Sequence, residues 1–366
     1  MSTTTSDAIP YALTRIGTLM SPEPGNPLEV EGVLNPATVR DAAGDVHVLP
    51  RLVAAGNVSR IGRARVIVVD GVPTGVEREG IVLAPDRSWE RADDHAGVED
   101  PRTTWMPSLG RYVMTYVAFG PLGPHPALAV SADGEEWTRL GPVQFAYEDD
   151  LDCDLNIYPN KDVVFFPEVV PDPTGRPSYA MLHRPMWELD HLSAGETPRL
   201  PAGVTDDRPS IWISYIDADA AQRDIRALAR PERHRTVAGP EYDWEQLKIG
   251  AGPAPLRVPE GWLVLHHGAS GRIEQGSFVP QKNVRYCAGA MLLDPDDPSR
   301  VLARTAEPLM EPGTGDEIVG TVGNVVFPTA IEAFGDDLYV FYGMADTRIG
   351  VARLDAVRHG RITGDR

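Results

Sequence analysis

Cysteine is nearly absent: Cys153 and Cys287 in 366 residues are too few for a disulfide framework. No apolar run reaches the roughly 18 residues that a transmembrane helix needs. The opening residues, Met1 to Asp7, have neither a basic stretch nor the apolar stretch of a secretory signal, so a cytoplasmic protein is expected. Positive charge is also scarce. Thirty-four Lys and Arg against 53 Asp and Glu leave a formal charge of −19, which argues against nucleic acid and membrane surfaces as partners. Several chemical signatures are missing as well. There is no His-Glu-x-x-His and no paired Cys/His spacing, so no metal site is expected. Neither a Gly-x-Ser-x-Gly elbow, a phosphate-cradling Walker loop nor a GxGxxG motif is present, and no cofactor is expected. Against such an acidic background, any local cluster of cations stands out.

What the chain has in quantity is turns and short apolar segments. It contains 35 Gly and 34 Pro, and 42% of its residues are hydrophobic. Five segments share one pattern: Val46–Arg51, Tyr112–Val117, Tyr179–Arg184, Trp262–His267 and Leu338–Gly343, with starts spaced by 66, 67, 83 and 76 residues. Their β-branched and aromatic content, with turn residues on either side, predicts strands. Ahead of each lies a residue followed by proline, in Asn35-Pro36, Asp100-Pro101, Phe166-Pro167, Ala254-Pro255 and Phe327-Pro328. After each comes a third apolar segment: residues 61–65, 127–130, 211–214, 289–293 and 349–353. Three elements repeated five times predict an all-β chain folded as a five-bladed β-propeller, with a weakly written fourth strand in each blade.

The domain reading is therefore an extended arm over residues 1–30, in which Pro22, Pro24 and Pro27 discourage regular structure, followed by one propeller over 31–366. Two stretches lengthen the third period. Residues 186–210 are a Pro/Gly/acid-rich insertion; 219–247 is a second, whose part at 219–235 predicts a short basic amphipathic helix.

A propeller brings equivalent strand ends around one axial pocket. The repeat phase sends Asn35, Asp100, Lys161, Arg184, His266, His267, Tyr342 and Asp346 there. Asp100 stands in Gly97-Val-Glu-Asp-Pro-Arg102, where proline fixes the backbone and pins a strand end, giving the carboxylate a defined position. In the plainest alternative, Asp100 caps a turn and Arg102 pairs with Glu99, while Arg184 pairs with Glu168. Glu99, Arg102 and His183 complete the candidate sugar-contacting set.

These residues carry a resemblance. Gly97–Arg102, Lys161-Asp-Val-Val-Phe-Phe-Pro-Glu168, Met181-Leu-His-Arg-Pro185, Asn324-Val-Val-Phe-Pro328 and Tyr342-Gly-Met-Ala-Asp346 resemble glycoside hydrolase family 130, the β-mannoside phosphorylases and related mannosidases. The resemblance runs from about Asn35 to Arg353 and implies a five-bladed propeller that cleaves β-mannosidic bonds with inversion. Asp100 matches the catalytic acid, which in several members passes its proton through the sugar 3-hydroxyl. Arg51 or Arg60, Lys161, Arg184, Lys248 and His267 match the phosphate-binding set, and Asn35 and Asp346 the mannose-binding set. Two departures stand out: Lys161-Asp162 where some phosphorylases carry Arg-Asn, and His266 where tyrosine is frequent.

Phosphorolysis needs one acid and a cationic seat for phosphate, which attacks as an anion and needs no base. It would give α-mannose 1-phosphate from β-1,2- or β-1,4-linked manno-oligosaccharides or mannosyl-glucose. The expected partners are thus a β-mannoside and inorganic phosphate, with a homo-oligomer left open. Two alternatives remain at this stage. An inverting hydrolase would add a carboxylate roughly 6.5–9.5 Å from the acid to activate water, for which Glu148, Glu168 and Glu241 are candidates. A non-catalytic sugar-binding propeller would show no turnover.

Overall fold

The computed structural model describes residues 9–92, 95–189, 195–272, 281 and 283–356. The first strand, β1 (Tyr11–Met20), precedes a loop that carries Pro22, Pro24 and Pro27. Four strands then form blade one: β2 (Gly32–Arg40), β3 (Val46–Ala54), β4 (Val58–Val69) and β5 (Val72–Leu83). Blade two is β6 (Ala96–Met106), β7 (Arg111–Gly120), β8 (Gly123–Ser131) and β9 (Thr138–Pro142). Blade three contains β10 (Asn160–Phe165), the two-residue β11 (Val170–Pro171), β12 (Pro177–Pro185), β13 (Ile211–Asp217) and β14 (Glu232–Ala238). Blade four is β15 (Lys248–Ala251), β16 (Leu256–Val258), β17 (Gly261–Arg272), β18 (Asn283–Leu293) and β19 (Val301–Arg304). In blade five, β20 (Val326–Phe334), β21 (Asp337–Met344) and β22 (Arg348–Ala356) take β1 as their outer strand.

The five predicted segments are the second strands β3, β7, β12, β17 and β21, and the third set falls on β4, β8, β13, β18 and β22. Each blade also has its outer strand. The expectation of an irregular arm over 1–30 needs correction: β1 pairs antiparallel with β22 from Tyr11↔Ala356 to Met20↔Ile349. The prolines lie after this strand, so they do not interrupt it. Pairing the chain's beginning with its last blade fastens the ring and covers a sheet edge. The expected helix over 219–235 is also shorter than its pattern. It is α1 (Ala218–Arg223) and a 3₁₀ turn at Ile225–Ala229, after which the backbone becomes β14. Among the described residues of 186–210 there is no regular element, and 190–194 lie outside the description.

Period-two alternation decides where the core sits. On β12, Tyr179 and Met181 pack towards blade two, while Ala180 and Leu182 pack towards blade four. The apolar clusters accordingly lie between neighbouring blades, including one that joins blade five to blade one through Val33, Val48, Tyr339 and Phe341. Burial of both faces of each sheet holds the ring together.

The inner strands are interrupted in a way that matters for chemistry. Register shifts fall at Asn35-Pro36 in β2, Asp100-Pro101 in β6 and Asp162-Val163 in β10. Asn35, Asp100 and Asp162 all have positive φ, of 42°, 48° and 56°. Asn and Asp tolerate that conformation better than most side chains, and a bulge re-aims a side chain out of the pleat. Pro36 and Pro101 fit here because a bulge releases backbone N–H groups from the ladder. Asp100 is thus inside a strand rather than at its end, and its counterpart in blade three is Asp162 rather than Phe166.

Candidate active site

Around the axis these bulges meet the sixth residue of each second-strand segment: Arg51, Val117, Arg184, His267 and Gly343. Asp100 is buried, and its Oδ1 accepts from Asn35 Nδ2 at 2.8 Å and Arg51 Nη1 at 3.1 Å. Arg51 is saturated. Its Nε donates to Ser59 Oγ, and its Nη2 donates to Asn57 Oδ1 and, at 2.7 Å, to Glu99 Oε1. The expected phosphate contact at Arg51 is therefore already engaged in fixing the acid and Glu99. Lys161 Nζ stands 3.9 Å from the other oxygen of Glu99. Gly343 makes room for Asn35, whose Oδ1 a Cβ at that position would overlap.

A second group centres on Asp162. It accepts from Arg102 Nη2 at 3.1 Å and Arg184 Nε at 2.5 Å, and stands 3.6 Å from His267 Nε2. Gly250 of β15 lets Asp162 and His267 approach, since a Cβ there would overlap both. Arg102 also donates to the carbonyls of Ala251 and Gly252, tying blade two to blade four. It is 1% exposed, so it is a strut and not the sugar contact expected of it. Neither plain pairing holds: Arg102 turns to Asp162 instead of Glu99, and Arg184 does the same while Glu168 is exposed. Arg184 is 4% exposed, yet among the described residues its Nη1 has no hydrogen-bond partner, and neither nitrogen of His267 has one. Lys248 lies over the Tyr286 ring, 5.3 Å from its centre.

The electrostatics follow from this crowding. Burial disfavours the Asp100 charge, but Arg51, Lys161, the Asn35 hydrogen bond and Arg102 outweigh it and hold the carboxyl below its ordinary value. Burial likewise works against the Asp162 charge, and the guanidinium groups of Arg184 and Arg102 reverse that too. His267 is kept neutral by burial, reinforced by the nearby guanidinium groups and Lys248. Asp346, at the turn between β21 and β22 with φ 48°, goes the other way. Burial and the neighbouring Asp100 charge push it up to about 6, although Arg51, Lys161 and Lys248 pull it down.

Two residues expected at the axis, His266 and Tyr342, belong elsewhere. Tyr116, His266 and Tyr342 occupy the fifth position of their segments, and alternation turns that position away from the sixth. Each meets a fully buried glutamate: Tyr116 Oη donates to Glu90, His266 Nε2 bonds Glu245 at 2.9 Å, and Tyr342 Oη donates to Glu317. The same glutamate accepts two backbone N–H groups three and four residues earlier. It also binds an arginine of the blade's outer strand: Arg139, Arg304 or Arg15. One clamp thus recurs in blades two, four and five, which explains histidine standing where tyrosine is frequent. His266 and Tyr342 thus serve the clamps inside blades four and five, on the strand face opposite His267 and Gly343. His183 is also fully buried, bonded at both nitrogens to Asn160 and Ser214. Arg60 is partly buried, and its Nη1 lacks a partner among the described residues.

A family model described as β-1,4-mannooligosaccharide phosphorylase matches residues 14–358. The chain belongs to glycoside hydrolase family 130. A family 130 relative from Thermoanaerobacter sp. (strain X514), 1,2-β-oligomannan phosphorylase, is 30% identical over 344 residues, covering 92% of this chain and 94% of its own. The β-1,4-mannooligosaccharide phosphorylase of Ruminococcus albus is 42% identical over 122 residues, 32% of this chain and 34% of its own. Among solved family 130 structures, the β-1,2-mannobiose phosphorylase of Listeria innocua superposes with a TM-score of 0.67 at 23% identity, covering 95% of this chain and 97% of the other.

The residue that sequence reasoning passed over is Asp162. Proline alignment chose Phe166-Pro167 for blade three. The signal that could have found Asp162 is the Asn/Asp type shared by the three bulges.

Proposed function

We propose that this chain catalyses inverting phosphorolysis of β-mannosides. One observation carries the reading: a buried arginine, Arg184, whose Nη1 finds no partner among the described residues, stands on the rung opposite Lys161, whose charge reaches Asp100. A buried guanidinium with a free donor calls for an anion, and the fork geometry of arginine suits phosphate. Lys161, Lys248 and neutral His267 would complete the seat. The oxygen of phosphate attacks the anomeric carbon from the face opposite the leaving group. The C–O bond to the leaving sugar breaks, and Asp100 supplies the proton that the departing oxygen takes up. The products are α-mannose 1-phosphate and a shortened mannoside. A bound phosphate offsets the cations that depress Asp100, so anion binding favours the protonated, working form of the acid. The relative that aligns over nearly the whole chain supports β-1,2-linked substrates first, and β-1,4 linkages second. A cytoplasmic setting belongs to the same proposal; no described helix is long and apolar enough to cross a membrane.

Hydrolysis is the second reading because Asp346 is a carboxylate beside Asp100 with its pKa pushed up to about 6, suited to activating water. The three bases expected from sequence are poorly placed for that role. Glu168 is exposed, Glu148 accepts from the His234 backbone, and Glu241 lies by Arg304. Product analysis with and without inorganic phosphate separates the readings. α-Mannose 1-phosphate formed only when phosphate is present supports phosphorolysis, and free mannose formed without it rejects that as the main activity. Asp100→Asn should lower kcat by about 10²–10⁴-fold while the protein stays folded; unchanged turnover would remove Asp100 from the role of acid.

A further inference from the structure

Blade three contains a line of buried polar side chains that ends on the rung of Lys161 and Arg184. It runs from the Ala146 carbonyl through His234, Ser214, His183 and Asn160 to the backbone N–H of Arg184. Ser214, His183 and Asn160 are completely buried and His234 is 4% exposed, so each group must find its partner within the line. The direction of every link can be derived. A carbonyl only accepts, so His234 Nε2, 2.8 Å from Ala146 O, carries a hydrogen. A neutral His234 then has Nδ1 as an acceptor, and the Ser214 hydroxyl donates to it across 2.8 Å. Ser214 Oγ in turn accepts from His183 Nε2 at 2.8 Å. That leaves His183 Nδ1 to accept from Asn160 Nδ2 at 3.0 Å. The amide oxygen of Asn160 is thereby fixed on the other side, where it accepts the Arg184 N–H at 3.1 Å. Burial keeps both histidines below their ordinary pKa, in agreement with neutral rings.

We propose that this one-way chain positions the anion seat: by fixing the amide of Asn160 it holds the rung on which Lys161 and Arg184 face each other. Asn160 directly precedes Lys161, and it binds the backbone of Arg184 itself. His183, Ser214 and His234 are then positioning residues, not ligands. A line that only satisfied buried groups could be replaced by apolar side chains at little cost; one that ends on the two cation-bearing residues cannot be replaced without loosening both. The inference rests on the phosphorylase reading for what the seat binds.

Ser214→Ala removes the middle link and lies outside the site. Calorimetric titration with inorganic phosphate should show binding weakened about tenfold, the loss expected for one buried hydrogen-bonded group. The KM for phosphate should rise by the same factor, with kcat at saturating phosphate changed much less, and the Arg184 amide should exchange faster with solvent. Ser214→Thr, which keeps the hydroxyl, should restore the wild-type values. Unchanged phosphate affinity in a folded Ser214→Ala protein overturns the proposal. If that variant does not fold, the wild-type ring ¹⁵N shifts decide: His183 and His234 must both be neutral Nε2–H tautomers at pH 7, and an Nδ1–H form of either overturns the chain. Wild-type protein that binds no phosphate would instead defeat the functional reading, while the tautomers and Arg184 amide protection still judge the line itself.

Discussion

Replacing Asp346 by asparagine should stabilise the protein while removing its activity. Asp346 has an ordinary carboxylate value of 3.8 in the unfolded chain and about 6 in the fold, because burial and the charge of Asp100 oppose its ionisation. A pKa raised on folding means that the fold binds the proton more tightly. That contribution is complete below about pH 4 and is lost as pH rises through about 6. At pH 8 the wild type therefore carries the cost of a buried charge that the Asp346→Asn variant lacks. The shift corresponds to about 3 kcal/mol at 1.36 kcal/mol per unit, and partial solvent exposure of this side chain reduces it to about 2 kcal/mol. For a 366-residue chain that is a rise in Tm of about 2–3 °C. Scanning calorimetry from pH 4 to pH 8 should show the two proteins alike at the acid end, with the variant gaining as pH rises. Turnover of β-mannosides should fall steeply in the same variant, since Asp346 interacts with Asp100, the proposed acid. A variant less stable than wild type at pH 8 would refute the reasoning, because it would mean that Arg51, Lys161 and Lys248 hold the Asp346 charge favourably.

Asp162 should behave in the opposite sense. Asp162→Asn keeps the positive-φ tolerance but strands the buried guanidinium groups of Arg102 and Arg184, at a cost of about 3–5 kcal/mol at pH 7. Its pKa is depressed on folding, so the wild-type advantage should be complete above about pH 4 and shrink as acid protonates the carboxylate; equal urea midpoints at pH 7 would contradict this. In the blade clamp, Glu245→Ala should cost a similar 3–5 kcal/mol, roughly, by removing the buried carboxylate that Arg304, His266 and two backbone N–H groups share, whereas His266→Tyr, which copies Tyr116 and Tyr342, should leave the KM for mannoside within about twofold, well under about 1 kcal/mol. A tenfold rise in that KM with Tm unchanged would return His266 to the sugar site.

Much of the fold could be read in one dimension because a propeller repeats. The second and third strands of every blade announced themselves by apolar content and spacing. The outer strands were weaker signals because one of their faces meets water, and β1 could not be assigned at all. Its partner β22 lies more than 300 residues away, and no local propensity encodes such a pairing.

At the site, residue type and spacing alone determined that Asp100, Asn35 and a small group of cations would share the axis of five sheets. The sequence could not say which cations were free. Arg51, Arg102 and Arg184 look equivalent as letters; only their packing showed Arg51 and Arg102 bound to Asp100, Glu99, Asp162 and backbone carbonyls, and Arg184 with an Nη1 that finds no partner among the described residues. Nor could it distinguish His266 from His267. Consecutive strand residues point to opposite faces, so one closes a clamp with Glu245 and the other stands beside Asp162, and that choice belongs to the assembled blades.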